Sequence, residues 1–294
     1  MRVRIVLAYV TAATTLLAGC GGSGSAHGGI SVVTSTNVYG DIAQQIGGAH
    51  VHVTSILTSP DADPHLFEPG TANGLAVAEA DVVIQNGAGY DAFMTKLENA
   101  APSSKRHDLT IADVLGARGH DANPHLWYDV PQLPRIAHSI ATALAQADPP
   151  HAAAYRNGAS RFVSSLAPLD RAVAAIRRAH SGDPVAYTEP VPGYLLSAAG
   201  LRNVSPNGFT RAIENGSEPS ATDLAAMSGL LQEHSVRVLL YNSQAVSPIT
   251  ARIRSEATAH GIPVVGVTET LPAHRTFQQW QLEQVRALAR ALGG

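Results

Sequence analysis

Two short stretches, Asp63-Pro64-His65-Leu66-Phe67-Glu68-Pro69 and Asn123-Pro124-His125-Leu126-Trp127-Tyr128-Asp129, each place a histidine directly after a proline. Proline fixes its own φ and pushes the residue before it towards extended geometry, so a histidine behind such a turn is held stiffly at a loop tip. Each turn is expected to follow a strand. Imidazole suits zinc, copper, iron and nickel. Two such histidines, far apart in the chain, point to one transition-metal site built from two loops, with His65 and His125 as ligands. Of the 13 histidines, only these two share the Pro-His turn after a strand; His151 also follows a proline but lies beside a helix. His27 lies in a Gly/Ser-rich stretch, and His50 and His52 stand at the start of a strand. His138, His151, His180, His234 and His260 lie in or beside helices, and His107, His120 and His274 in loops without a rigid frame.

Carboxylates of the second half complete the set. Tyr187-Thr188-Glu189-Pro190 and Thr268-Glu269-Thr270 each end a strand-like run, and a carboxylate at the C-terminal end of a strand points into the space beyond the sheet. Each glutamate has a plainer reading, as a cap of the following helix or as the partner of an arginine such as Arg211. Carboxylate oxygen also suits harder ions such as manganese. A set of two imidazoles and two carboxylates lacks the thiolates common in structural zinc sites, and with four protein ligands it leaves no obvious open position for a substrate. Such a site carries a metal rather than uses one. Asp61, Asp63, Glu68 and Asp129 are candidates to accept the second ring N–H of the ligating histidines.

Asn86-Gly87-Ala88-Gly89-Tyr90-Asp91-Ala92 follows a strand and opens a helix, as a dinucleotide-binding turn does, and Asp108 lies near the expected acidic position. It follows the third strand of its half rather than the first, so a tight turn near the cleft is the expectation, and no dinucleotide cofactor.

The elements that must hold these residues alternate. Strands are expected at 30–36, 51–57, 81–84 and 106–111, and helices at 39–46, 71–79, 90–99 and 133–147. After a helical stretch over 151–179, interrupted at Pro168, strands are expected at 184–188, 201–204, 236–241 and 263–267. Helices alternate with them at 192–199, 221–233, 249–259 and 277–292, the second capped near Ser220 or Thr222. This is an α/β chain with two halves, each with a parallel sheet, and a helical connector as one long helix or two shorter ones. Ligands sit beyond the carboxyl ends of such strands, and between two lobes those ends form a cleft.

The chain opens with Met1-Arg2-Val3-Arg4, an uncharged apolar run over 5–17 and Leu17-Ala18-Gly19-Cys20, the pattern of a secretory signal peptide. The run is shorter than the roughly 20 residues of a membrane span. Cys20 is the only cysteine, so no internal disulfide is expected, and the string before it resembles a bacterial lipobox in which the cysteine becomes the lipidated first residue. The domain reading is a signal peptide over 1–19, a lipidated tether over 20–29, an N-terminal α/β lobe over 30–148, a connecting helix over 149–182 and a C-terminal α/β lobe over 183–294. Without Arg2 and Arg4, 18 basic residues face 23 acidic ones, a net charge of −5. With no Lys/Arg cluster and few aromatics, a nucleic-acid surface is excluded.

In order, Asp63-Pro64-His65 with Glu68, Asn123-Pro124-His125 with Trp127 and Asp129, Thr188-Glu189 with Tyr194, and the stretch 265–280 resemble the metal-binding substrate-binding proteins of ABC transporters over nearly the whole mature chain. The resemblance implies two Rossmann-like lobes joined by a long backbone helix, with one metal in the interlobe cleft. It places the ligands on His65, His125, Glu189 and Glu269. At the third position zinc-type members usually carry histidine and manganese-type members glutamate, and at the fourth, where this chain has Glu269, aspartate is usual. The His-rich loop of many zinc members is missing. The expectation is an exported lipoprotein, monomeric, anchored to the outer face of the cytoplasmic membrane, that binds Mn2+ or Zn2+ as cargo for a membrane permease and is not an enzyme. Two rival readings are a secreted zinc-dependent hydrolase, against which no His-Glu-x-x-His stands, and a surface adhesin that a metal stabilises.

Overall fold

The computed structural model describes residues 28–59, 67–119 and 122–293. The signal segment with Cys20, most of the tether with His27, the first Pro-His turn with Asp61, Asp63 and His65, and His120 lie outside the described residues.

The N-terminal lobe runs β1 (Ile30–Thr36), α1 (Asn37–Gly47), β2 (Val51–Leu57), α2 (Thr71–Glu79), β3 (Val82–Gln85), α3 (Ala92–Ala100), β4 (His107–Thr110), α4 (Ile111–Leu115) and α5 (Leu133–Ala147). Two helices follow, α6 (Ala152–Ser165) and α7 (Ala167–His180). The second lobe runs β5 (Pro184–Tyr187), α8 (Gly193–Ala198), β6 (Arg202–Asn203), α9 (Asn207–Glu214), α10 (Ala221–Gln232), β7 (Leu239–Asn242), α11 (Pro248–Ala259), β8 (Val264–Val267) and α12 (Phe277–Leu292).

Each lobe has one four-stranded, all-parallel sheet, ordered β2-β1-β3-β4 and β6-β5-β7-β8. Strands β3 and β7 are mostly apolar runs rather than alternating ones because helices cover both faces. All four residues of β3 and of β7 are buried. Helix α5 buries Leu133, Ile136, Ala137, Ile140, Ala141 and Leu144, the spacing that puts one stripe on the sheet.

The expected connector is a helix broken at Leu166. Pro168 has no N–H to continue the α-helical ladder, and Leu166 donates to Val163 O at 3.1 Å instead. Leu166 keeps right-handed helical geometry, so α7 continues from α6 with only that interruption. Strand β7 is shorter than expected at its start. Val236 and Val238 are buried, but the neighbouring strand offers pairing only from Pro184, whose carbonyl accepts from Arg237 N at 2.9 Å. Two short helices, α4 and α9, carry too few residues for a periodic signal.

One hydrophobic core crosses both lobes. It joins Tyr39, Ile42, Trp127, Tyr128 and Ile140 of the first lobe to Phe162 and Val173 of the connector and to Leu195, Val267, Phe277 and Trp280 of the second. Helix α12 reaches back to the first lobe. Phe277 N donates to Asp41 Oδ2 at 2.9 Å, and Gln278 pairs with Gln45. Trp280 is 2% exposed, lies edge-on to Tyr128 and Phe277, and donates its indole N–H to Thr268 Oγ1 at 2.9 Å. Trp280→Ala should therefore lower the unfolding free energy by about 3–5 kcal/mol in urea denaturation. A loss below about 1 kcal/mol would show that the lobes are not joined through this core.

Candidate metal centre

The carboxyl ends of the two sheets face one another, and the second Pro-His turn lies between them. It does not follow a strand directly, as its local sequence suggests. Strand β4 passes into α4, whose end is set by Gly116 in the left-handed region, eight residues before Pro124. The turn is fixed by other means. Asn86, just past β3, donates from Nδ2 to Pro124 O at 2.8 Å and accepts the Tyr39 hydroxyl at 2.5 Å. Asp91 accepts Asn86 N at 2.6 Å and Gly87 N at 2.8 Å. The glycine-rich stretch is thus a tight turn that buttresses the Pro-His loop. Gly87 has φ +78, and a Cβ there would lie 2.5 Å from Thr110 Cγ2, so only glycine fits.

His125 is fully buried. Its Nδ1 meets Asn123 Oδ1 at 2.8 Å. The amide orientation of Asn123 is set from the other side, since its Nδ2 donates to Pro190 O of the second lobe at 2.8 Å. Oxygen therefore faces the ring and Nδ1 carries the hydrogen, so that in the neutral ring Nε2 presents its lone pair. That Nε2 is buried, makes no hydrogen bond among the described residues, and stands 3.4 Å from Glu269 Oε2. The acceptor for this ring is Asn123, not one of the acids among the expected candidates. Glu68, another candidate acceptor, is exposed.

Glu189 and Glu269 follow β5 and β8 and are 1% and 0% exposed. Neither is a helix-cap residue, because α8 starts behind Pro192 and α12 is capped by Thr276. Both carboxylates meet one side chain, Asn242 at the end of β7. Its Nδ2 donates to Glu269 Oε1 at 2.7 Å and to Glu189 Oε2. Asn242 Oδ1 accepts Gln244 N at 3.0 Å, which turns the amide nitrogen towards the two glutamates. Gln244 Oε1 in turn accepts Glu269 N at 2.5 Å and Thr270 N at 3.1 Å, fixing the backbone that carries Glu269. The buried Tyr90 hydroxyl donates to Glu269. Burial, and then the negative charge of Glu269 and that hydrogen bond, hold its ionisation well above the usual tyrosine range.

The structure thus brings His125, Glu189 and Glu269 to one buried place, with His65 outside the described residues. Among the described residues, no three histidine, cysteine, aspartate or glutamate side chains form a group able to hold an ion by themselves. Asn123, Asn86 and Tyr90 lie within the stretches singled out above but without a supporting role, and Asn242 and Gln244 are absent from the expectations. Only their positions just beyond strands, or beside the Pro-His turn, could have marked them. A cavity of about 410 Å3 opens beside Asn123 and Pro190, with Tyr187 and Arg211 in its wall.

The family described as zinc-uptake complex component A, periplasmic (ZnuA), matches residues 32–291. The chain belongs to this family. Its members are metal-binding components of ABC importers, not enzymes. A Treponema pallidum (strain Nichols) protein named for metal binding is 24% identical over 281 residues, 89% of this chain and 87% of its own length. The manganese-binding lipoprotein MntA of Bacillus subtilis (strain 168) is 29% identical over 176 residues, 56% of this chain and 57% of that one. The solved periplasmic zinc-binding protein TroA of Treponema pallidum superposes with a TM-score of 0.78 at 18% identity, covering 91% of this chain and all of that one, and so shares its fold.

Gln244 binds the loop that carries Glu269, so Gln244→Ala leaves two backbone amides without this partner. Chemical denaturation should show a loss of roughly 1–3 kcal/mol for each. An unchanged midpoint would mean that the loop holds its shape without Gln244.

Proposed function

We propose that this chain is an extracytoplasmic solute-binding lipoprotein that captures Mn2+ or Zn2+ and hands it to the membrane permease of an ABC importer. The observation that carries this reading is His125 Nε2, buried in the first lobe and 3.4 Å from a carboxylate oxygen of the second. A cation between the two would bind both and relieve the meeting of two electron-rich atoms.

The ligands in this reading are His65, His125, Glu189 and Glu269, two nitrogens and two oxygens, with the ion as cargo. Residues 30–148 and 183–294 act as the lobes and 149–182 as their helical connector. Cys20 carries the lipid that keeps the monomer at the outer face of the membrane, on the tether 20–29. Glutamate at position 189 favours manganese over a histidine there. Intrinsic affinity still follows the Irving–Williams order, so zinc binds more tightly in a simple titration.

Chelator-stripped protein from Gly21 onward, titrated with Zn2+ and with Mn2+, should bind one ion per chain. His65→Ala should weaken binding well beyond the roughly 10–100-fold that loss of a supporting hydrogen bond costs, and Glu189→His should shift preference towards zinc. Absence of binding by either ion would overturn the reading and leave the paired Pro-His turns as loop architecture.

A further inference from the structure

One side chain at the cleft is neither a candidate ligand nor part of the core. Asn242 lies at the end of β7, 1% exposed, and its single amide nitrogen serves both carboxylates. An amide nitrogen has two hydrogens, so Asn242 Nδ2 meets Glu269 Oε1 and Glu189 Oε2 without sharing one. The amide cannot readily turn over, because its oxygen accepts Gln244 N. The strand end itself is pinned, since Asn242 N donates to Thr188 Oγ1 at 3.1 Å, next to Glu189. The result is a rigid fork that turns one oxygen of each glutamate towards β7. For Glu269 the other oxygen is the one 3.4 Å from His125 Nε2.

We propose that Asn242 is a specificity-determining residue of the metal site, acting through the carboxylates rather than on the ion. By turning one oxygen of each glutamate away, it lets Glu189 and Glu269 give the ion one oxygen each. Two histidine nitrogens and two single oxygens make a four-ligand set. Zinc accepts four ligands in a tetrahedron. A harder ion that takes more oxygen ligands, as manganese does, gains from carboxylates that swing round to offer both oxygens. Asn242 opposes that swing and so works against the manganese preference that Glu189 brings. This inference rests on the metal-carrier reading above.

The test compares Zn2+ and Mn2+ affinities in chelator-stripped wild type and in Asn242→Ala, with circular dichroism to check the fold. The expected result is that Asn242→Ala narrows the zinc-over-manganese ratio by about tenfold or more, mainly through tighter Mn2+ binding. An unchanged or wider ratio overturns the inference while leaving the carrier reading intact. Absence of binding in the wild type overturns both. If Asn242→Ala does not fold, X-ray absorption on the zinc-loaded wild type decides. Four nitrogen or oxygen neighbours at about 2.0–2.2 Å support the inference, and five or six, with a carboxylate bound through both oxygens, overturn it.

Discussion

Two carboxylates held out of water, one donor between them, set the terms for the rest of the cleft. Removing a carboxylate from solvent is strongly unfavourable unless hydrogen bonds or an opposite charge make up the loss. Glu189 and Glu269 are at most 1% exposed, and three neutral side chains on short, rigid supports serve them. Asn242 serves both, Gln244 fixes the backbone of one, and Tyr90 reaches across from the first lobe. None of these carries a positive charge.

The same constraint explains the architecture. In a parallel sheet all the carboxyl ends of the strands lie on one side, and two such sheets facing each other put eight strand ends around one space. The glutamates come from the ends of β5 and β8, Asn242 from the end of β7, and the buttress of His125 from the end of β3. The interlobe core around Trp127, Tyr128, Phe277 and Trp280 keeps those ends in register. Direct hydrogen bonds tie the rims together, with Asn37 Nδ2 donating to Leu271 O at 2.8 Å and Tyr128 to Thr268 O at 2.7 Å. A site made of groups from two lobes needs such ties, because a small displacement of one lobe would separate His125 from the carboxylates.

Much of this was legible in the sequence. Alternating apolar runs and helical stripes marked all eight strands and the longer helices, because their burial is local and periodic. His125, Glu189 and Glu269 stood out because proline beside them, or a strand end before them, constrains where a side chain points. The supporting residues were not legible. Asn242 and Gln244 sit in an ordinary strand-to-loop passage, and their role depends on glutamates 53 and 25 positions away in the chain. The partner of His125 was sought among the four acids Asp61, Asp63, Glu68 and Asp129 because charge suggested the acceptor, whereas it is the neutral Asn123, held by Pro190. The helix α4 between β4 and the Pro-His turn was missed because five residues carry too little periodicity to register.

The central claim is that one ion is held across both lobes. The most direct measurement is anomalous diffraction from crystals of the protein loaded with Zn2+ or Mn2+. The account predicts a single strong peak in the cleft, about 2.0–2.2 Å from His65, His125, Glu189 and Glu269. A peak bound by one lobe alone, or an ion placed away from His125, would contradict it.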